Sequence, residues 1–387
     1  MEETKYFLED FRAGDFGLGS GYRFFIPERI DRNWTWRDPH VSALLEKASI
    51  RLGELNSFAR QVPNIDIFIR LHATREAVLS SRIEGTSTTM NEAFLPFEEI
   101  IPEDRDDWIE VQNYIAALRF SISELKSKKG APLSSRLLRM AHEVLMKGSR
   151  GANKSPGRFR TSQNWIGGVT AADATFVPPE HRLVGDLMSD LEKFLHNRNN
   201  SLPGLVKIGM AHYQFETIHP FLDGNGRVGR LLIVLFLSSE EMLREPLLYI
   251  SSYFERDRYL YYEKLSGVRR QNDMIGWIKY FLIGVERAAA QAAETLEAML
   301  ILRADLENEI QAKYGKRVAV ALRLLNGLFK SPVCRRSDIQ EWLASSPRSA
   351  NELVNSFVRD GYMMEKTGRS RNQIFEFHPL MRLFKDH

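Results

Sequence analysis

Apolar residues recur at helical spacing in one segment after another of this chain, and this periodicity is the feature that most constrains its fold. In the segment 41–60, for example, Leu44, Leu45, Ala48 and Leu52 fall on one face of a helix. The same pattern predicts helices over the segments 65–83, 108–126, 134–146, 183–196 and 204–217. The main body of the protein is therefore predicted to be all-α.

One stretch of the body, residues 159–179, departs from the helical pattern. It alternates short β-favouring runs with turn sequences such as Gly167-Gly168 and Ala172-Asp173. Such alternation predicts a β-hairpin. Because the hairpin would be alone in a helical body, we expect it to form a flap on the surface.

Length, cysteine content and hydropathy exclude several classes of protein. A chain of 387 residues has room for two or three domains. Its one cysteine, Cys334, cannot form an internal disulfide or a multi-thiolate metal site. The amino-terminal sequence is acidic, unlike a signal peptide, and the longest apolar run, 231–237, is too short to cross a membrane. We therefore expect a cytoplasmic protein.

The basic residues are concentrated in the last part of the chain. Residues 316–387 hold 13 Lys or Arg and 7 Asp or Glu, whereas residues 1–315 have a small acidic excess. Predicted helices over 318–328, 336–343 and 349–359, followed by two short strands near 362–365 and 374–377, are typical of a winged helix-turn-helix. In that arrangement the segment 349–359 is the recognition helix. A helix over 285–314, which lacks Gly and Pro, would precede it.

Four regions follow from these patterns. We expect an N-terminal helical region over 1–105, a second domain over 106–285 that contains the flap, a linking helix over 286–315 and a winged helix-turn-helix domain over 316–387.

The segment most informative about chemistry is His219-Pro-Phe-Leu-Asp-Gly-Asn-Gly-Arg-Val-Gly-Arg230. It contains the pattern G-x-G-x-x-G, but a helix precedes it, whereas a dinucleotide-binding fold requires a strand at that place. Glycines followed by a helix expose backbone N–H groups next to the positive end of the helix, and this combination binds anions. A phosphate is the expected ligand.

The other side chains of this segment fit a nucleoside triphosphate with Mg²⁺. Arg227 and Arg230 can hold phosphate oxygens, and Asn225 adds donors. The carboxylate of Asp223 is a hard oxygen ligand suited to Mg²⁺. His219, at the edge of the anion site, can accept a proton from an attacking hydroxyl. A single His or Asp-Gly pair would be explained by capping or a turn, but so many polar groups within twelve residues favour a catalytic loop.

This segment resembles the motif of the Fic family, H-x-F-x-[DE]-G-N-G-R-x-x-R, at every specified position. The resemblance extends to Asn113-Tyr114, to the segments 156–166 and 176–179, and to Tyr253-Phe-Glu-Arg with Tyr261-Tyr262. It thus covers nearly the whole chain, and it implies a Fic-type helical domain with a small β-hairpin flap.

The resemblance also implies an activity, the transfer of AMP from ATP to a Ser, Thr or Tyr hydroxyl of a target protein. His219 would then be the general base and Asp223 the Mg²⁺ ligand. The implied roles of the remaining residues are ATP binding by Gly224, Asn225, Gly226, Arg227, Val228, Gly229, Arg230 and Tyr262, and docking of the target along the flap by Trp165, Ile166, Phe176 and Val177. Arg269 occupies a position that is often Asn in close relatives.

A second motif of the same family lies upstream. Ser80-Ser-Arg-Ile-Glu84-Gly85 matches the inhibitory pattern [ST]-x-x-x-E-[GN] at the end of a predicted helix. Through this resemblance we expect Glu84 to pair with Arg230 and so to misalign ATP.

Three classes of function stay open at this point. The first is a self-inhibited protein adenylyltransferase that modifies a target protein, with its own chain as a further candidate substrate. The second keeps the fold but transfers another nucleotide or a phosphate, or removes AMP. The third is a nucleotide-sensing regulator that binds DNA through the basic tail. The sequence leaves a homodimer open and indicates no membrane partner.

Overall fold

A computed structural model describes residues 4–62 and 65–384 of the chain. Helices predominate, as predicted. They are α1 (Pro39–Gln61), α2 (Ile65–Ile83), α3 (Arg105–Lys126), α4 (Ser135–Leu145), α5 (His181–His196), α6 (Gly204–Ile218), α7 (Asn225–Ser239), α8 (Ser251–Arg256), α9 (Arg258–Gln271), α10 (Met274–Lys313), α11 (Val318–Lys330), α12 (Arg336–Leu343), α13 (Pro347–Arg359) and α14 (His378–Arg382).

Local capping explains where several helices begin. The Asp38 carboxylate accepts a hydrogen bond from the His40 N–H at 2.8 Å, and Pro39 occupies the first helical position of α1. Asp273 caps α10 in the same way through the Gly276 N–H. This cap lies upstream of the start predicted for the helix over 285–314, so α10 is longer than predicted, with 40 residues.

Seven short strands accompany the helices in the described residues. They are β1 (Tyr6–Phe7), β2 (Gly14–Leu18), β3 (Arg23–Pro27), β4 (Trp34–Thr35), β5 (Val333–Arg335), β6 (Met364–Glu365) and β7 (Ile374–Glu376). β1 pairs with β4 in parallel, β2 and β3 form an antiparallel hairpin, and β7 lies between β5 and β6. The N-terminal strands β1–β4 and strand β5 were not predicted from the sequence.

Two helices occupy the centre of the molecule. In α6 every residue from Leu205 to Ile218 is buried, and in α7 every residue from Asn225 to Leu237 is buried. The loop 219–224 joins these two packed helices, so its ends are held rigidly. Around them, α10 packs along α1 and also contacts α6, α8, α9 and α11. One hydrophobic cluster runs through the described chain from Leu8 to Phe384.

The flap over 159–179 contains less strand than predicted. Its two arms meet at one isolated bridge, in which Ile166 and Phe176 exchange both backbone hydrogen bonds at 2.8 and 3.1 Å. The tip is a turn in which the Asp173 carboxylate accepts from the N–H groups of Val169 and Thr170. Side-chain and loop contacts therefore hold the flap in place more than β-strand pairing does.

The tail follows the predicted order of elements, with α11, α12 and α13 preceding the strands β6 and β7. It packs against the segment that follows α2. Arg335 pairs with Glu98 at 3.0 Å, and Arg369 pairs with Glu99 at 3.0 Å. The Asn91 side-chain amide donates to Glu376 at 2.7 Å. Among the helices of the described residues, none has the length and apolarity needed to span a bilayer.

Candidate active site

His219 ends helix α6 in a left-handed conformation, with φ 51° and ψ 60°. This conformation is uncommon for a residue with a side chain, and such exceptions concentrate at functional sites. The ring nitrogen Nδ1 lies 3.3 Å from the carbonyl oxygen of Glu216. Donation from Nδ1–H to that oxygen leaves Nε2 without a proton. Burial, reinforced by the charge of Arg160, lowers the pKa of His219 to about 4, so the imidazole is neutral at pH 7.

The Asn225 side chain braces the loop from inside. Its Oδ1 accepts from the Phe221 N–H and its Nδ2 donates to the Phe221 carbonyl, both at 2.8 Å. This amide was predicted to bind phosphate; its oxygen and one of its two N–H groups are occupied by Phe221, so the second N–H remains for an anion and the assignment stays a prediction. The backbone N–H groups in the first turn of α7 are further donors for an anion.

His142, which the sequence analysis did not single out, supports the same loop from α4. Its ring stacks on Phe221 with 3.8 Å between centroids. Nδ1 accepts from the Gly157 N–H at 2.9 Å, so Nε2 must carry the proton that is donated to the Asp223 carbonyl at 3.0 Å. Burial lowers the pKa of His142 to about 4, in agreement with a neutral ring that serves structure.

Arg227, which was predicted to bind phosphate, contacts two carboxylates in this structure, and its phosphate role stays a prediction. Its guanidinium is buried and pairs with Glu110 on α3 at 2.9 Å, and it lies 3.5 Å from Oδ1 of Asp223. No sequence pattern indicates Glu110, which is far away in the chain. Arg227 therefore orients the Asp223 carboxylate, whose side chain stays 43% exposed at the mouth of the site.

Arg230 binds the motif 80–85 through two of its three guanidinium nitrogens. Its Nη2 donates to Glu84 Oε1 at 2.6 Å and to the Ser80 carbonyl at 2.8 Å, while Nε donates to the Ser80 hydroxyl at 2.8 Å. The predicted pairing of Glu84 with Arg230 is thus present. Desolvation would raise the pKa of Glu84, but the charge of Arg230 outweighs it and lowers that pKa, so the pair is ionised.

Glu84 also lies in the space where an anion would bind. A Cβ built on Gly226, in the first turn of α7, would overlap Glu84 Oε1 and would come within 3.0 Å of Arg230 Nη1. The carboxylate therefore covers the positive end of α7 as a phosphate would. The turn of the backbone after Glu84 depends on Gly85, which has φ 104° and for which a side chain would be strained.

Glu216, one turn before His219, is a buried carboxylate that sequence reasoning missed. Its Oε1 has no hydrogen-bond partner among the described residues. Gly229 leaves the space for it, since a Cβ at Gly229 would overlap the same oxygen. Burial raises the pKa of Glu216 to about 7, although the charge of Arg230 opposes this shift.

The base of the flap is tied to the catalytic loop. Arg160 Nε donates to the His219 carbonyl at 2.9 Å, and the Asn164 amide donates to the Phe221 carbonyl at 2.8 Å. Trp165 is 42% exposed on the flap, next to this connection. Val177, in contrast, is buried and its carbonyl accepts from the Phe25 N–H at 2.9 Å, so its predicted role in target docking does not fit.

Tyr262 and Arg269 lie on α9, facing the same region. Tyr262 is 40% exposed, its ring is 5.1 Å from that of Tyr261, and its predicted contact with adenine stays a prediction. Arg269 stacks over the Phe176 ring of the flap at 4.0 Å. The stacking of Arg269 on Phe176 places the C-terminal half of α9 against the flap.

The described residues contain no cluster of three or more His, Cys, Asp or Glu side chains able to hold a metal ion. Mg²⁺ is nonetheless bound in many proteins through one or two carboxylates together with substrate phosphates and waters. The exposed carboxylate of Asp223, beside the N-terminus of α7, meets that requirement. The residues present thus fit Mg²⁺ that arrives with a phosphate-containing substrate.

Comparison with known families agrees with this geometry. Residues 42–123 match the family described as Fic/DOC family N-terminal, and residues 132–237 match the Fic/DOC family. These residues belong to the Fic/DOC family. The Fic region therefore contains α1 to α7, with the inhibitory motif, the flap and the catalytic loop.

Two curated relatives of the Fic region are named as protein adenylyltransferases. The chain is 32% identical over 163 residues, or 40% of its length, to "Protein adenylyltransferase fic-1" of Caenorhabditis elegans. It is 29% identical over 191 residues, or 49% of its length, to "Protein adenylyltransferase Fic" of Drosophila yakuba. These matches span 30% and 34% of the relatives' own lengths, about a third.

Solved structures share the fold. A Fic family protein from Desulfovibrio desulfuricans superposes with a TM-score of 0.57 over 89% of this chain and 97% of that one, at 22% identity. A segment of Fic-1 from C. elegans gives a TM-score of 0.51 over 67% of this chain and 75% of that one, also at 22% identity. At such identities the likeness concerns the fold alone.

Proposed function

We propose that this protein is an adenylyltransferase that moves AMP from ATP to a Ser, Thr or Tyr hydroxyl of a target protein. The observation that carries the proposal is the loop 219–230, in which a neutral His219 lies beside the N-terminus of α7 and Arg230 faces the same space. The names of the curated relatives support the same reaction.

The proposed reaction uses the groups of this loop. The hydroxyl oxygen of the target attacks the α-phosphorus of ATP, and its proton passes to Nε2 of His219. The bond between the α-phosphorus and the bridging oxygen to the β-phosphate breaks, and pyrophosphate leaves with the electron pair. Backbone N–H groups in the first turn of α7 stabilise the negative charge that develops on the α-phosphate.

We propose that Mg²⁺ binds together with ATP. Asp223 would hold it, with Arg227 fixing the orientation of the carboxylate. When bound, Mg²⁺ neutralises phosphate charge. A reaction that consumes ATP on protein targets favours a cytoplasmic location, which we also propose.

We further propose that the Fic region is self-inhibited by Glu84. Two contacts support this: Glu84 binds Arg230 at 2.6 Å, and its carboxylate covers Gly226 at the N-terminus of α7. The triphosphate would have to compete with Glu84 for Arg230 and for the N-terminus of α7. ATP that binds without them would have a misaligned α-phosphate.

The experiment that tests the activity compares two labels of ATP in the Glu84→Gly background. Label from α-³²P-ATP but not from γ-³²P-ATP should enter protein in a cell lysate with Mg²⁺. Replacing His219 by Ala in that background should abolish labelling and leave ATP binding within about twofold, because the ring accepts a proton and does not hold phosphate. Transfer of the γ label would instead indicate a phosphotransferase, and release of AMP from modified protein would indicate the reverse reaction.

For the tail we propose a winged helix-turn-helix that makes protein contacts. The order of its elements and the sheet β5-β7-β6 support the assignment. Three basic residues, Lys366, Arg369 and Arg371, lie in and beside the turn that joins β6 to β7, where a DNA backbone could bind. Two of them are already paired, since Lys366 lies 3.3 Å from Glu376 and Arg369 lies 3.0 Å from Glu99. We therefore expect no gel shift with duplex DNA at physiological salt, and a specific shift would favour the DNA-binding regulator.

A further inference from the structure

A groove of about 600 Å³ lies between the turn of the β2–β3 hairpin, the flap and the C-terminal half of α9. Its rim carries Phe16 and Leu18, which are 51% and 82% exposed. Large apolar side chains that line a groove and stay exposed are typical of interaction surfaces. The catalytic loop contributes no residue to this groove.

The groove is also positively charged. Three arginines line it, Arg23 from β3 and Arg269 and Arg270 from α9, and no Asp or Glu is among its described lining residues. Arg23 lies over the Phe16 ring at 4.7 Å and Arg269 over the Phe176 ring at 4.0 Å. A guanidinium stacked on a ring keeps its N–H edge available for carboxylates. The complementary ligand is therefore acidic, with apolar side chains for the rim.

Backbone hydrogen bonds join the groove to the flap. Phe176 bridges to Ile166, and the next residue, Val177, accepts from the Phe25 N–H of β3 at 2.9 Å. The hairpin β2–β3 and the two arms of the flap thus form one hydrogen-bonded unit. Arg269, at the inner end of the groove, is near enough to His219 for its charge to act on the imidazole, after the larger effects of burial and Arg160.

We propose that this groove binds an acidic, extended segment of the target protein next to the hydroxyl that receives AMP. The inference rests on the proposed adenylyl transfer and adds the class of target sequence. Arg23 and Arg270 pair with carboxylates of the segment, Phe16 and Leu18 cover its apolar side chains, and the chain continues along the flap toward His219.

The test uses full-length protein with Glu84→Gly as the parent. One derivative carries Arg23→Glu and Arg270→Glu, and a matched control carries Lys128→Glu and Lys129→Glu, which make the same charge change in an exposed loop. Lysate is labelled with α-³²P-ATP, and the modified sites are mapped by mass spectrometry. ATP affinity and thermal unfolding are measured for each variant to establish that the fold and the nucleotide site are intact.

We expect mapped sites in the parent to be flanked by Asp and Glu above their background frequency. The groove derivative should label these sites about tenfold less while binding ATP normally, the loop control should stay within twofold of the parent, and Arg23→Lys with Arg270→Lys should restore most of the labelling. If the sequences around the modified sites are not enriched in Asp and Glu, or if the groove derivative labels them as well as the parent does, the groove does not bind an acidic target segment. Neither result would affect the transferase proposal. A parent that labels nothing would overturn the transferase proposal itself.

Discussion

At the scale of single residues, burial determines the protonation states in the site. His219 and His142 are both kept neutral, yet they differ in what their second nitrogen faces: His142 uses both nitrogens for backbone contacts, whereas Nε2 of His219 has no such contact in the described residues. The sequence marks His219 through its motif. No sequence pattern indicates His142 or Glu216, because their importance depends on neighbours that only folding brings near.

The neutral state of His219 can be measured directly. Its pKa of about 4 predicts that the ring stays unprotonated from pH 8 down to about pH 5 and gains a proton below that. NMR titration of the imidazole protons, assigned by comparison with His219→Asn, should give a midpoint below 5.5. A midpoint at or above the ordinary value of about 6.5 would show that the ring is solvated and is not held as described.

Glu216 predicts a pH dependence of stability. Its pKa is about 7 in the folded protein and ordinarily 4.5, so between these values the folded state holds a proton that the unfolded state has lost. The free energy of unfolding should therefore fall as pH rises from about 4.5 to 7, by about 2–3 kcal/mol from this group. Glu216→Gln should remove this fall, as measured by urea unfolding at several pH values. An unchanged pH profile in the variant would contradict the prediction.

At the scale of elements, the helix boundaries follow from periodicity and capping residues, and most predicted helices begin and end within a few residues of those observed. The β2–β3 hairpin escaped prediction because its strand Gly14–Leu18 contains two glycines and its pairing partner is needed to define it. The flap was located correctly, but Arg160 and Asn164 hold it through contacts to the catalytic loop that no local pattern indicates.

The junction of the catalytic loop with α7 depends on one side chain. Asn225→Ala removes both hydrogen bonds to Phe221 and leaves the buried Phe221 N–H without a partner, while the Phe221 carbonyl keeps the Asn164 amide as its donor. We expect the free energy of unfolding to fall by about 1–3 kcal/mol. Glu240→Ala, at the exposed position that follows the C-terminal end of α7, serves as a control and should change it by less than about 0.5 kcal/mol. Equal stabilities of the two variants in urea would argue against the bracing role.

At the scale of the whole molecule, the hydrophobic cluster is continuous between the Fic region and the tail. α10 carries buried residues from Met274 to Ile310, and the tail adds ion pairs to the segment 91–99 that follows the inhibitory motif. The sequence predicted the tail as a separate domain from its change in charge. Charge alone could not show that Arg335 and Arg369 are turned toward Glu98 and Glu99.

A continuous core predicts that the tail and the body unfold together. The one cysteine of the chain, Cys334, is buried in β5 of the tail, so its reactivity toward a thiol reagent reports unfolding of the tail. Thiol exposure and the loss of helical circular dichroism should have the same midpoint in urea. Leu296→Ala in α10 should lower both midpoints together, by about 2–5 kcal/mol of stability. Exposure of the thiol at a lower urea concentration would identify an independent tail.

The proposed inhibition is tested by the initial rates of AMP incorporation for wild type and Glu84→Gly at the same ATP and Mg²⁺ concentrations. If Glu84 holds Arg230 and covers the anion site, its removal should raise the rate at least about tenfold, since a charged hydrogen bond that competes with the triphosphate is lost. Equal rates in the two proteins would contradict the account, because the pairing of Glu84 with Arg230 would then have no effect on catalysis.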